Sequence, residues 1–210
     1  MEDVLDVYQL PYDATRPVVC LDESNKVLHK HKITPMETTV HNHAIQRPDY
    51  TYEAQGSANM FMISEPLRGW RRVTVTDNRT GYEMAEQLRR LVEEDYPDAQ
   101  RIVLVTDNLN THHTGVLYER FEPQVARKIA RKLEWHYTPK HGSWLNMAEI
   151  ELSTLQRQCL SRRIGDSDTL QAQVNEWAHS RNSACSSITW RFTTPDARIK
   201  LKRLYPIVNL

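Results

Sequence analysis

Apolar residues gather in this chain in two contrasting patterns. Two runs are continuous and rich in β-branched residues: Val18-Val19-Cys20-Leu21, which leads into Asp22, and Ile102-Val103-Leu104-Val105-Thr106, which leads into Asp107. Runs of this kind predict strands covered on both faces, at the middle of an α/β sheet, rather than the alternating strands of a half-wet sheet. Two more strand-like runs, Ala58 to Ser64 and Arg72 to Thr76, lie across a turn at Pro66 to Gly69 and predict an antiparallel hairpin that continues the sheet.

The second pattern is helical. Tyr82, Ala85, Leu88, Leu91 and Val92 recur at three- and four-residue intervals between Thr80 and Glu94, and a basic helix is predicted from Pro123 to Leu133 with proline in its first turn. Trp135 to Thr138 reads as a short strand, closed by a turn from Pro139 to Gly142. Ser143 is then placed to cap a helix whose stripe Ala148, Leu152, Leu155, Cys159 faces the core. Further helices are predicted near Asp168 to Ser180 and Pro195 to Tyr205. The stretch up to Pro17, with two prolines and little periodicity, reads as a linker or edge segment. Residues 25–56 are polar and His-rich without a clear period, and read as a long surface loop or a weakly marked strand pair.

Strand, hairpin, helix, strand, helix, short strand, helices is an α/β order. A mixed five-stranded sheet with its first and fourth strands central, flanked by helices, is what a ribonuclease H-like fold would give. A doubly wound nucleotide-binding fold is disfavoured, because no Gly-rich phosphate loop follows either central strand and the chain has 6 glycines in all.

Composition narrows the picture. A chain of 210 residues can bury a self-sufficient core, and 3 cysteines without close spacing argue for reduced, buried thiols rather than a disulfide framework or a zinc site. No run is long enough to span a membrane and the acidic start is unlike a signal peptide, so a soluble cytoplasmic protein is expected. Basic and acidic side chains balance at 27 each, yet residues 1–119 hold 12 basic against 19 acidic and residues 120–210 hold 15 against 8. An acidic front and a basic rear suggest a metal-binding pocket beside a polyanion-binding surface, although solvated helix faces would give the same tally.

An ionised carboxylate at the end of a buried strand loses hydration, and no Arg or Lys neighbours either aspartate in sequence, so a divalent cation between them would compensate. Two such ions can run phosphoryl transfer on a nucleic acid backbone, and hard ions of this type need few protein oxygens. A third carboxylate is available from Glu149 or Glu151. At about 100° per residue these two point some 200° apart on a helix, and helix geometry does not choose between them. Asn108 and His112 follow the second strand, where a loop residue can reach a metal's waters or a phosphate, or simply cap the loop. Lys140 and His141 precede the glutamate helix near its positive end, placed to hold a DNA phosphate. Arg127, Lys128, Arg131 and Lys132 form a basic helical face able to track a DNA backbone or merely to be solvated. His29 with His31 and His41 with His43 read as exposed loop histidines, and Trp135, Trp144, Trp177 and Trp190 as core anchors.

Three segments carry a specific likeness. Cys20-Leu21-Asp22-Glu23-Ser24, Val105-Thr106-Asp107-Asn108-Leu109-Asn110-Thr111-His112 and Tyr137-Thr138-Pro139-Lys140-His141-Gly142-Ser143-Trp144-Leu145-Asn146-Met147-Ala148-Glu149 resemble the catalytic motifs of bacterial insertion-sequence transposases of the mariner superfamily, most nearly insertion-sequence family six-thirty. The likeness also takes in Arg47-Pro48-Asp49-Tyr50 and Ala58 to Trp70, and so runs from Val18 to about Ile164. It implies a DDE triad of Asp22, Asp107 and Glu149, because the family's acid sits three residues after the Asn of a Leu-Asn-x-x-Glu string; Glu151 becomes a surface or supporting residue. Between the acids lie 84 and 41 residues, and the longer second interval is attributed to the basic helix.

The resemblance further implies two Mg²⁺ or Mn²⁺ ions, with Asp22 bridging them and Asp107 and Glu149 each completing one. It implies cleavage of DNA at transposon ends and strand transfer into target DNA at a TA step, with a homodimer expected because two ends are joined. Family members carry helix-turn-helix modules ahead of the catalytic domain, whereas this chain begins just before its first core strand, as a truncated copy, second reading frame or excised domain would. The expected organisation is an N-terminal segment over 1–17, a catalytic domain over 18–165 and a helical extension over 166–210. The rival readings are a non-catalytic nucleic-acid-binding remnant and a nuclease on the same scaffold.

Overall fold

The two continuous apolar runs become parallel neighbours at the centre of a sheet. In the computed structural model, which describes residues 1–31, 36–40, 43–47 and 52–205, β1 (Val18–His31) and β6 (Ile102–Thr106) pair in register Val18↔Val103, Val19↔Leu104, Cys20↔Val105. The predicted hairpin is present as β4 (Tyr52–Glu65) and β5 (Trp70–Thr76), antiparallel across the turn at Gly69, whose φ of 69° suits glycine. With β7 (Leu133–Tyr137) parallel to β6, the sheet order is β5-β4-β1-β6-β7.

Alternation along these strands divides the core in two. Cys20, Met60, Met62, Val103 and Val105 point to the face covered by α1 (Glu2–Val7), α5 (Met147–Gln158), α6 (Ser167–Ser183) and α7 (Thr194–Lys200). Val19, Leu21, Phe61, Ile63 and Leu104 point to the face covered by α2 (Gly81–Arg90), α3 (Gly115–Arg120) and α4 (Pro123–Lys132). The result is a helix–sheet–helix sandwich, which explains why β6 reads as an unbroken apolar run: all five of its residues are buried. No helix among the described residues is long and apolar enough to cross a membrane.

Several expectations need correction. The stretch before Pro17 opens with a helix, not a linker, because Val4 and Leu5 are fully buried against the sheet and Tyr8 Oη donates to the Leu145 carbonyl at 2.7 Å. Six residues are too few to show a period. The last helix packs against the first: Arg198 holds Glu2 through two contacts of 2.8 Å, and Thr194 Oγ1 donates to Asp6 Oδ1 at 2.7 Å. The described part of the extension, residues 166–205, therefore shares one core with the sheet. Of the two readings for residues 25–56, the strand pair is observed. β1 runs on to His31 against β4, and β2 (Met36–Val40) with β3 (His43–Arg47) makes a separate antiparallel ribbon. His41 and the Pro48-Asp49-Tyr50 string lie outside the described residues.

The helix that carries Glu149 is anchored twice. Ser143 opens a short 3₁₀ turn (Ser143–Leu145), and Asn146 rather than Ser143 caps α5, its Oδ1 accepting from Ala148 N at 3.1 Å. Gly142 makes the preceding turn possible, since a Cβ there would come within 2.7 Å of the Pro139 ring and 2.9 Å of its carbonyl. Two residues after Glu149, Glu151 is fully buried rather than at the surface. It pairs with Arg71 of β5 at 3.2 Å and with Arg181 of α6 at 3.0 Å and 3.2 Å, tying three elements together. Arg71 also donates to the Ser186 carbonyl at 2.5 Å and to Asn182 Oδ1 at 3.3 Å. Removing one partner of a buried pair strands the other charge, at a cost of about 3–5 kcal/mol. Glu151→Gln is expected to lower the thermal midpoint by roughly 6–20 °C in calorimetry; a change within a degree or two would show that the network does not hold α5.

Candidate active site

Asp22 lies inside β1, not at its end. The β1–β6 pairing stops at Cys20↔Val105; two residues further on stand Asp22, on the β1 face that Cys20 shares, and Asp107, one residue past the end of β6. Asp22 is 8% exposed; its Oδ1 accepts from Glu23 N at 2.8 Å and its Oδ2 from Asn146 Nδ2 at 3.1 Å. Burial pushes its carboxyl up to about 7, and the charges of Glu149 and Asp107 push the same way. Glu149 and Asp107 therefore lie near enough to Asp22 for their charges to act on it. No Lys or Arg forms an ion pair with any of the three among the described residues.

Asp107, partly exposed just past β6, is held below the usual carboxylate range, mainly by its hydrogen bond with His112. His112 Nδ1 stands 2.6 Å from Asp107 Oδ1, and Nε2 stands 3.1 Å from Glu23 Oε1. Burial by itself would lower the imidazole's pKa, but its bonds to Asp107 and Glu23 outweigh that and raise it to about 9. An imidazolium between two carboxylates fits this geometry, because each ring nitrogen then has a proton to share.

Glu149 occupies the first turn of α5, partly buried, and Asn146 links that turn to the sheet through its bonds to Asp22 and to the Leu21 carbonyl at 2.8 Å. Among the described residues no three carboxylate, imidazole or thiol groups form a finished metal cage. One oxygen of Asp107 is engaged by His112. The donor set nonetheless fits a hard divalent ion: carboxylate oxygens only, one of them desolvated and lacking a cationic partner.

The other sequence-predicted residues scatter. Asn108, Lys140 and His141 are exposed on the loop after β6 and on the turn leading to the 3₁₀ segment, with His141 at a φ of 63°. His112 is buried, not presented to a ligand outside. Arg127, Lys128, Arg131 and Lys132 sit on α4, across the sheet from the acids, because Ala126 and Ile129 pack with Leu21 and Leu104 on the opposite face. Two of these cations are engaged locally, Lys128 with Glu93 at 3.7 Å and Lys132 with the Pro97 carbonyl at 2.7 Å. His29 lies in β1 rather than a loop. Trp177 is a core anchor, but Trp144 is 46% exposed and stacks on Trp190 at 6.5 Å. Cys20 and Cys159 are buried as expected, whereas Cys185 is exposed. Two participants escaped the sequence reading. Glu23 follows Asp22 directly, but nothing in the pattern says a loop histidine returns to it; Asn146 stands in the Leu-Asn-x-x-Glu string, a signal that was there to be read as a cap.

The fold has known counterparts. The Mos1 mariner paired-end complex with Mn superposes with a TM-score of 0.53 at 14% identity, over 87% of this chain and 54% of that one. The Mos1 strand transfer complex gives 0.52 at 12% identity, over 82% and 54%. This chain thus spans about half the length of those structures, and the likeness establishes a ribonuclease H-like fold. Among curated proteins none matches. The family model described as "DDE superfamily endonuclease" matches residues 17–171, which include Asp22, Asp107 and Glu149. With most of its length accounted for by that match, the chain belongs to the DDE superfamily endonucleases.

Proposed function

We propose that this chain is the catalytic domain of a DNA transposase of the insertion-sequence type, cutting DNA at transposon ends and joining the freed strand to target DNA. The observation that carries the reading is the buried Asp22, which faces Asp107 and Glu149 with no Lys or Arg partner, in a member of an endonuclease family. Asp22, Asp107 and Glu149 would hold two divalent cations, Mg²⁺ or Mn²⁺. When bound, the ions supply Lewis-acid activation of the attacking oxygen and charge stabilisation for the leaving one. The chain's own residues do the positioning. Asn146 holds Asp22 Oδ2 and caps the helix that carries Glu149, His112 holds Asp107, and Lys140, His141 and Asn108 offer exposed polar groups to a DNA backbone on the turns beside the acids. DNA is the proposed partner, both transposon ends and target, and joining two ends calls for a homodimer. The Mos1 structures, a paired-end complex and a strand transfer complex, support the choice of reaction.

Incubating the protein with Mn²⁺ and duplexes carrying candidate element ends tests the proposal. Wild type is expected to nick and join, and Asp22→Asn, Asp107→Asn and Glu149→Gln to fall to background. Nicking without joining would point to a nuclease, and gel retardation without nicking to a DNA-binding remnant. Calorimetric titration with Mn²⁺ gives a separate check, since equal affinity in wild type and Asp107→Asn would remove Asp107 from the ligand set.

Asp22 also gives a pH signature in the metal-free protein. Its folded pKa, about 7, lies above its unfolded value near 3.8, so the folded state binds the extra proton. The resulting destabilisation is absent below pH 3.8, grows as pH rises toward 7 and is complete above it. Asp22→Asn removes that charge. Asn has one acceptor for the two donors that Asp22 receives, which limits the gain to about 1 kcal/mol, or roughly 2–4 °C. The variant's melting temperature relative to wild type is therefore expected to rise between pH 4 and pH 8, in thermal scans with chelator. A difference that does not change with pH would contradict a buried, unpaired Asp22.

A further inference from the structure

We infer that Glu23 and His112 are a positioning pair for Asp107, the imidazole holding one carboxylate oxygen so that the other is presented to a divalent cation. The inference rests on the proposed reading of Asp107 as a metal ligand.

The contacts on Asp107 are lopsided. Oδ1 takes both of the carboxylate's protein contacts, an ion-pair contact with His112 Nδ1 at 2.6 Å and a hydrogen bond from Leu109 N at 3.2 Å, while no described group bonds to Oδ2. A carboxylate on a loop just past its strand has two soft side-chain torsions, and tying one oxygen removes most of that freedom before any ion arrives.

The imidazole is itself fixed from several directions. Nε2 meets Glu23 Oε1 at 3.1 Å, and Nδ1 lies 2.8 Å from Thr106 Oγ1 and 3.2 Å from the Asp107 carbonyl. The residue's backbone is pinned by Tyr137 Oη at 3.0 Å and by its own N–H to the Leu109 carbonyl at 2.9 Å. At 2% exposure the ring cannot reach a DNA phosphate, so its work is done through Asp107. Glu23 stands next to Asp22 on β1, so the pair ties the loop that carries the second acid to the strand that carries the first. The distance between the two acids is thereby set by side chains that belong to neither.

Mn²⁺ affinity measured by calorimetry on folded protein, checked by circular dichroism and melting, tests the inference. His112→Ala is expected to weaken binding about 10- to 100-fold. Glu23→Ala should weaken it less, Glu23→Gln should retain it because the amide oxygen still accepts from Nε2, and the double alanine variant should bind no worse than His112→Ala alone. In an Asp107→Asn background, Glu23→Ala should change nothing further. Should His112→Ala not fold, the two Glu23 variants carry the same comparison. Wild-type affinity in both alanine variants, while Asp107→Asn loses binding, would overturn the positioning role and leave the metal reading standing. Wild type that binds no Mn²⁺, or Asp107→Asn that binds as wild type does, would overturn both.

Discussion

The parallel register between β1 and β6 is the constraint on which the rest of this molecule depends. Parallel strands with both faces covered cannot slip by one residue, because a slip would turn every apolar side chain of β6 toward the wrong helix layer. With Cys20 opposite Val105, the positions two residues further on are Asp22 and Asp107, so two acids separated by 84 residues of chain come to the same end of the sheet. Nothing about the acids themselves favours this. The apolar runs that precede them hold them there.

The third acid arrives by a different route. Glu149 depends on where α5 starts and how it lies on the sheet, and both are settled by buried polar contacts. Asn146 caps the helix and reaches Leu21 and Asp22, Tyr8 from the first helix bonds to the Leu145 carbonyl, and Glu151 locks the next turn to Arg71 and Arg181. A buried ion pair adds little net stability compared with an apolar replacement, but it admits one geometry, which a site built on separate elements needs. The first helix and the last close this layer from outside.

Charge is arranged unevenly around the cleft. Asp22 is desolvated and repelled by its neighbours, Asp107 is relieved by an imidazole, and the cations of α4 lie across the sheet where they cannot neutralise either. An apo protein that keeps such a cluster gives up some stability, as functional sites commonly do, and a bound cation would return it. The exposed Lys140 and His141, by contrast, sit on the turn that feeds α5.

Sequence by itself determined the sheet's centre, the hairpin and most of the helices, because continuous apolar runs and helical stripes are local signals, and its three motif strings nominated the acids. It misread the first helix, which is too short to show a period, and it left Glu151 open between a surface and a supporting role. Only the tertiary structure decided that Glu151 is buried between two arginines, that the basic helix lies on the far face, and that His112 turns inward to join Asp107 to Glu23. Each of these depends on which residues meet across a sheet or a layer, and the pairing of Glu23 with His112, 89 positions apart, leaves no trace in the local pattern of either segment.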